Sequence, residues 1–128
     1  MLNQCYEVLR QTPDDADFLN TVAWIRATSP LEDIRNIPEA IDMATRACQI
    51  TKYSQAGCMD ALGTALAQQG QFDQAIEITR KALAISTQNP QLEAFNEELE
   101  KHVALYQQKK AYSIPIGIAA GAQPVSTP

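Results

Sequence analysis

The chain has 128 residues, 45% of them apolar and 6% aromatic, which sets the scale of one small domain with a modest core and no room for a large enzyme cavity. Its net charge of -5, with Lys and Arg scattered apart from Arg80-Lys81 and Lys109-Lys110, excludes a nucleic-acid surface, which needs clustered cations to displace phosphate counterions. No apolar run approaches the roughly 20 residues of a membrane span, and the start "MLNQCYEVLR" is not a secretory signal, so the expected setting is soluble and cytoplasmic.

Ala, Gln, Glu and Leu dominate and β-branched runs are missing, which predicts an all-α fold. The first twelve residues, with Val8 and Leu9 apolar and Pro13 closing them, predict the last turns of a helix. Asp14 or Asp15 is placed to cap the next helix, "DFLNTVAWIRATS". Ser29-Pro30 then breaks the chain, and Pro38 fits the first turn of the helix "PEAIDMATRACQIT". "CMDALGTALAQQG" forms another helix, which Gly70 ends.

From Phe72 the apolar residues Ala75, Ile76, Ile78, Ala82 and Leu83 recur at three and four residues, as in a helix with one buried stripe. After Pro90, residues Leu92, Phe95, Leu99, Val103 and Tyr106 mark a long amphipathic helix, with Lys109 and Lys110 suited to its C-terminal dipole. The tail, 112-128, carries Pro115, Pro124 and Pro128 and no charge, and is expected to be disordered.

Two of these helix pairs are versions of each other. Sliding the chain by about 35 residues lays Ala40 over Ala75, Ile41 over Ile76 and Ala47 over Ala82. The preceding helices superpose with Val22-Ala23 over Leu62-Gly63, at an offset larger by about five residues. The difference is an insertion in "SPLEDIRNIPE", between the helices of the earlier unit.

A unit of about 34 residues made of two helices, which buries its apolar face only by stacking on neighbours, is the tetratricopeptide repeat. The chain resembles that family at Leu62-Gly63, Gly70, Phe72, Ala75 and Ala82, and at Val22-Ala23, Ala40 and Ala47. It departs from the pattern at Met59, where the family has Trp, at the late Pro90, and at Arg26, a usually apolar place. The resemblance implies a short α-solenoid of antiparallel hairpins coiled as a right-handed superhelix. Its parts are a partial helix or N-terminal cap at 1-12, a repeat with an inserted loop at 13-54, a second repeat at 55-89, a capping helix at 90-111, and the tail. Beginning within a repeat implies an incomplete chain or a short cap.

Such arrays bind partners on the concave surface lined by their first helices. Taking the face turned away from Val22 and Leu62 selects Asp17, Asn20, Trp24 and Thr28 from the earlier unit and Asp60, Thr64 and Gln68 from the later one. Trp24 is either an anchor for a partner side chain or a residue covered by loop 29-37 through Leu31, Ile34 and Ile37; the apolar content of the insertion favours cover. Relatives that clamp acidic chaperone tails use Lys, Arg and Asn, of which only Asn20 is present, while Asp17 and Asp60 repel anions. The partner implied is a protein or peptide of neutral to basic character.

Reactive chemistry has little support. There is no phosphate loop, no HExxH and no nucleophile beside a His at informative spacing, while acid pairs such as Asp14-Asp15 and Glu97-Glu98 suit caps or solvated faces. Cys5, Cys48 and Cys58 lack a CxxC spacing and read as small buried thiols, Cys48 and Cys58 close together. His102 is the only histidine. No catalytic residue, metal ligand or cofactor is therefore assigned. A binding scaffold is the favoured reading. The alternatives are a self-association module, marked by an uncovered stripe of Leu2, Val8 and Leu9, or an accessory segment of a larger enzyme.

Overall fold

The computed structural model of the chain describes residues 2–112; the expectation of a disordered tail at 112-128 falls, apart from Tyr112, outside them. The described residues form six α-helices: α1 (Leu2–Gln11), α2 (Ala16–Thr28), α3 (Ile37–Ile50), α4 (Ala56–Gln68), α5 (Phe72–Ser86) and α6 (Glu93–Gln107), the last preceded by a 3₁₀ turn at Pro90–Leu92. No strand occurs among these residues, and no helix is long and apolar enough to cross a membrane.

Local chemistry sets the helix ends. Asp15 caps α2, its carboxylate accepting from the backbone N–H of Asp17 and Phe18. Asn36 caps α3 by accepting from Glu39 N–H, with Pro38 in the first turn. Gly70 takes φ +86 after α4, and the N–H groups of Gly70 and Gln71 return to the carbonyls of Ala67 and Leu66. That pairing satisfies two orphan carbonyls and reverses the chain into α5.

Neighbouring helices pack in order. α2 lies against α3, α4 against α5, and the second pair meets the first through α4, which touches both α2 and α3. α1 packs on α2 at one end, while α6 packs on α5 and α4 at the other. α4 is thus central, with ten buried residues from Ala56 to Ala67, and small side chains all round let four helices approach it. The stripe expected on α6 is present, with Leu99, Val103 and Tyr106 buried. On α1, Leu9 and Cys5 are buried and Leu2 and Val8 half-buried, so the helix has no fully uncovered stripe.

The closest approach is at Gly63. A Cβ there would stand 2.6 Å from Thr79 Oγ1 and 3.2 Å from Ile78 Cγ2, whereas one at Gly57 would meet Asn20 Nδ2 at an ordinary 3.7 Å. Gly63→Ala is therefore expected to destabilise by about 1 kcal/mol net, since overpacking of about 1–3 kcal/mol outweighs the roughly 1 kcal/mol helix-propensity gain. Gly57→Ala is expected to be neutral or stabilising. Urea unfolding of the two variants checks the pair; a stabilised Gly63→Ala would contradict the close packing of α4 on α5.

Arg26 explains how the inserted loop is held. Its guanidinium donates to Ile34 O at 2.8 Å and to Tyr6 Oη at 2.9 Å, and it pairs with Glu39 at 3.5 Å; Tyr6 Oη in turn donates to Glu39. The Arg26 carbonyl accepts from Asn36 N–H. One charged side chain thus fastens the loop to α1 and α3. No residue of the loop lines the groove described below.

All three cysteines are buried and unpaired with one another. Burial, and then the neighbouring Cys58, pushes the Cys48 thiol from 9.0 up to about 12, which agrees with the expected proximity of the two. A thiol ionised at lower pH in the unfolded chain than in the folded one withdraws stability as pH rises through that interval. Stability should therefore fall between pH 9 and about 12, with a slope of up to about 1.4 kcal/mol per pH unit from this group. In Cys48→Ala, compared at each pH by urea titration, that part of the slope should vanish.

Candidate functional site

The face of α2 and α4 turned away from their hairpin partners is closed at one end by α6, leaving a groove of about 570 Å³. From α2 it is lined by Asn20, Thr21, Trp24 and Ile25; from α4 by Gly57 and Asp60; from α6 by Phe95, Glu98 and His102; and Tyr112 enters from beyond α6. A second depression of about 590 Å³ runs along α5 alone, between Asp73 and Ala84, and carries no convergent polar groups from other elements.

At the floor of the groove His102 Nδ1 donates to Asp60 Oδ1 at 2.8 Å, with both side chains under one-tenth exposed. This contact ties α6 to α4. A buried carboxylate requires such a partner, because its transfer from water is otherwise very costly. Around His102 stand three aromatic rings: Tyr112 at 4.9 Å between centroids, Tyr106 at 6.2 Å and Trp24 at 6.4 Å. Tyr112 lies 5.8 Å from Trp24. Offset and tilted contacts of this kind each contribute about 0.5–1.5 kcal/mol beyond burial.

Tyr106 is fully buried and its hydroxyl stands 3.3 Å from Thr64 Oγ1, which donates to Asp60 O. Burial, the largest cause, raises the Tyr106 phenol above its ordinary value, with the nearby Asp60 adding to the effect. Tyr112 is raised first by burial and then by the charges of Glu98 and Asp60. Both phenols are therefore neutral donors at ordinary pH.

The expected groove residues divide into three groups. Asn20, Trp24 and Asp60 do line the groove. Asp17 is exposed in the first turn of α2, and Gln68 donates through Nε2 to Tyr112 O at 2.8 Å, at the edge of the same region. Thr28 and Thr64 are wholly buried. Thr28 turns its hydroxyl to Trp24 O, and Thr64 lies beneath Tyr106, so neither faces a partner. Helical angle placed them on one face; α6 covers that face at Thr64.

Trp24 has His102 and Tyr112 beside it; no residue of loop 29-37 lines the groove, and Leu31 remains 44% exposed. The expected repulsion from Asp60 is likewise altered, because its carboxylate is engaged by His102.

The residues missed by sequence reasoning are Thr21, Ile25, Gly57, Phe95, Glu98, His102 and Tyr112. His102 had a local signal: it falls between Leu99 and Tyr106 at steps of three and four, within the apolar stripe of α6. A histidine there needs a buried partner, and Asp60 is the buried acid of α4.

Among the described residues one buried side-chain atom has unused hydrogen-bonding capacity: Asn20 Oδ1, on a half-buried residue that lines the groove. An unmade buried acceptor costs about 1–3 kcal/mol, which a donor from outside would recover. Gly57 stands across from the Asn20 amide, where a Cβ would meet Nδ2 at 3.7 Å. Among the described residues no cluster of three His, Cys, Asp or Glu side chains has a metal-holding arrangement. Compared with protein-family models, with curated proteins and with solved structures, the chain shows no match.

Proposed function

We propose that the chain is a protein-binding scaffold of tetratricopeptide type, a short right-handed solenoid that takes an extended peptide in the groove between α2, α4 and α6. The observation that carries this reading is the buried Asn20 Oδ1, without a hydrogen-bond partner among the described residues, on a groove that Trp24 also lines. A passing peptide N–H supplies the missing donor, and a side chain packs on Trp24. The order of packing, in which α4 meets α2 and α3 as well as its own partner α5, supports stacked hairpins. In this scheme α6 caps the array and replaces a further repeat.

Self-association draws less support. The N-terminal helix buries Leu9 and Cys5, leaving no continuous apolar stripe for a second copy. The enzyme-accessory alternative has no particular residue in its favour.

A random peptide library selected on the full chain tests the reading. Selected peptides should change the emission of Trp24, the single tryptophan, and Asn20→Ala should weaken them about tenfold, the worth of one hydrogen bond to an otherwise unpaired buried group. Peptides indifferent to both Asn20 and Trp24 would place binding elsewhere and remove the proposal.

A further inference from the structure

The groove already holds a piece of the chain. After α6, Lys109 takes φ 59 and Lys110 N–H returns to Leu105 O, so the backbone reverses at the helix end. Tyr112 then lays its ring on His102 and beside Trp24, and its carbonyl accepts from the Gln68 amide at 2.8 Å. Non-helical backbone held by a side-chain amide, with its side chain among aromatic rings, is how an extended ligand would sit in such a groove.

The hold on Tyr112 is light. Among the described residues one hydrogen bond fixes its backbone, and the residue is only half-buried. Beyond it the groove continues to Asn20, whose Oδ1 the tyrosine does not reach. Both charged carboxylate side chains of the lining are acidic: Asp60 is engaged by His102, and Glu98 by the exposed Lys101 at 3.5 Å, a surface pair that an incoming cation exchanges at little cost.

We infer that Tyr112 is the resident occupant of the groove's aromatic socket, and that the partner is an extended peptide presenting an aromatic side chain next to a cationic one, which displaces Tyr112. The inference rests on the scaffold reading and names its ligand class. The chain's own run Lys109-Lys110-Ala111-Tyr112 has the same chemistry. As an attached competitor, Tyr112 reduces apparent affinity in proportion to the time it occupies the socket.

The test uses the full chain, wild type and Tyr112→Ala, with circular dichroism to verify that the variant folds. The probe is the acetylated, amidated hexapeptide KKAYSI, and its control is KKAASI. Trp24 emission in Tyr112→Ala should shift to the red and quench more readily with acrylamide. The probe should bind the variant at least about tenfold tighter than wild type and reverse the shift, while the control does neither. Wild-type quenching in the variant, equal affinity for both proteins, or equal binding of the control each overturns the inference. Library peptides that depend on Asn20 but are indifferent to Tyr112→Ala would leave the scaffold reading standing and remove this inference alone.

Discussion

His102→Leu is expected to lower the unfolding free energy by about 3 kcal/mol, a fall of roughly 10–15 °C in Tm, although the substitution adds apolar surface to a buried site. The reason is the group left behind. Asp60 is 5% exposed, and its Oδ1 is held by His102 Nδ1. Without the imidazole, the carboxylate stays buried between α4 and α6 with its partner gone, which is among the most costly of single changes.

The double replacement Asp60→Leu with His102→Leu should recover much of the loss, because no uncompensated charge then remains. Asp60→Asn should be milder than His102→Leu, since a neutral imidazole tolerates burial better than an unpaired carboxylate. Urea titrations of wild type, Asp60→Leu, His102→Leu and the double variant form a double-mutant cycle with an expected coupling of about 2 kcal/mol. Additive losses would mean that the two side chains do not stabilise one another.

Ending the chain at Asn89 is expected to unfold it altogether. α6 contributes Leu99 at 0%, Tyr106 at 1% and Val103 at 8% exposure, together with His102. Each buried apolar side chain is worth about 1.5–3 kcal/mol, so their sum is comparable with the whole net stability of a domain this size. Removal also uncovers Asp60 and Thr64 on α4, whose partners His102 and Tyr106 leave with the helix.

On the proposed repeat reading, two units lie near the lower limit for such arrays, which need about three. Leu99→Ala supplies the graded version, with an expected loss of about 3 kcal/mol. Far-UV circular dichroism of the shortened chain decides the matter, and a cooperative helical fragment ending at Asn89 would refute the stabilising role given to α6.

The turns, caps and stripes were legible because each depends on neighbours in sequence. Gly70 stops α4 through its own backbone freedom, Asp15 caps α2 by reaching two and three residues ahead, and Pro38 enters the first turn of α3. The stripe Leu99, Val103 and Tyr106 announced a buried face by spacing alone. Arg26 was visible as an irregularity, but its use was not. Its partners Tyr6 and Ile34 lie on either side of it in the chain, and only folding brings them to one guanidinium.

What the sequence by itself determined is the all-helical fold, the places where helices begin and end, and the faces on which Asn20, Trp24 and Asp60 lie, because short-range sterics, hydrogen bonding and the helical angle decide these. What only the tertiary structure decided is what stands opposite those faces. Angle groups Asp60 and Thr64 with Gln68 but says nothing of α6, which buries the first two and leaves the third at the edge with Tyr112. The pairing of Asp60 with His102 spans 42 residues. Long-range contacts of that kind follow from how the helices pack as bodies, and local spacing carries no record of them.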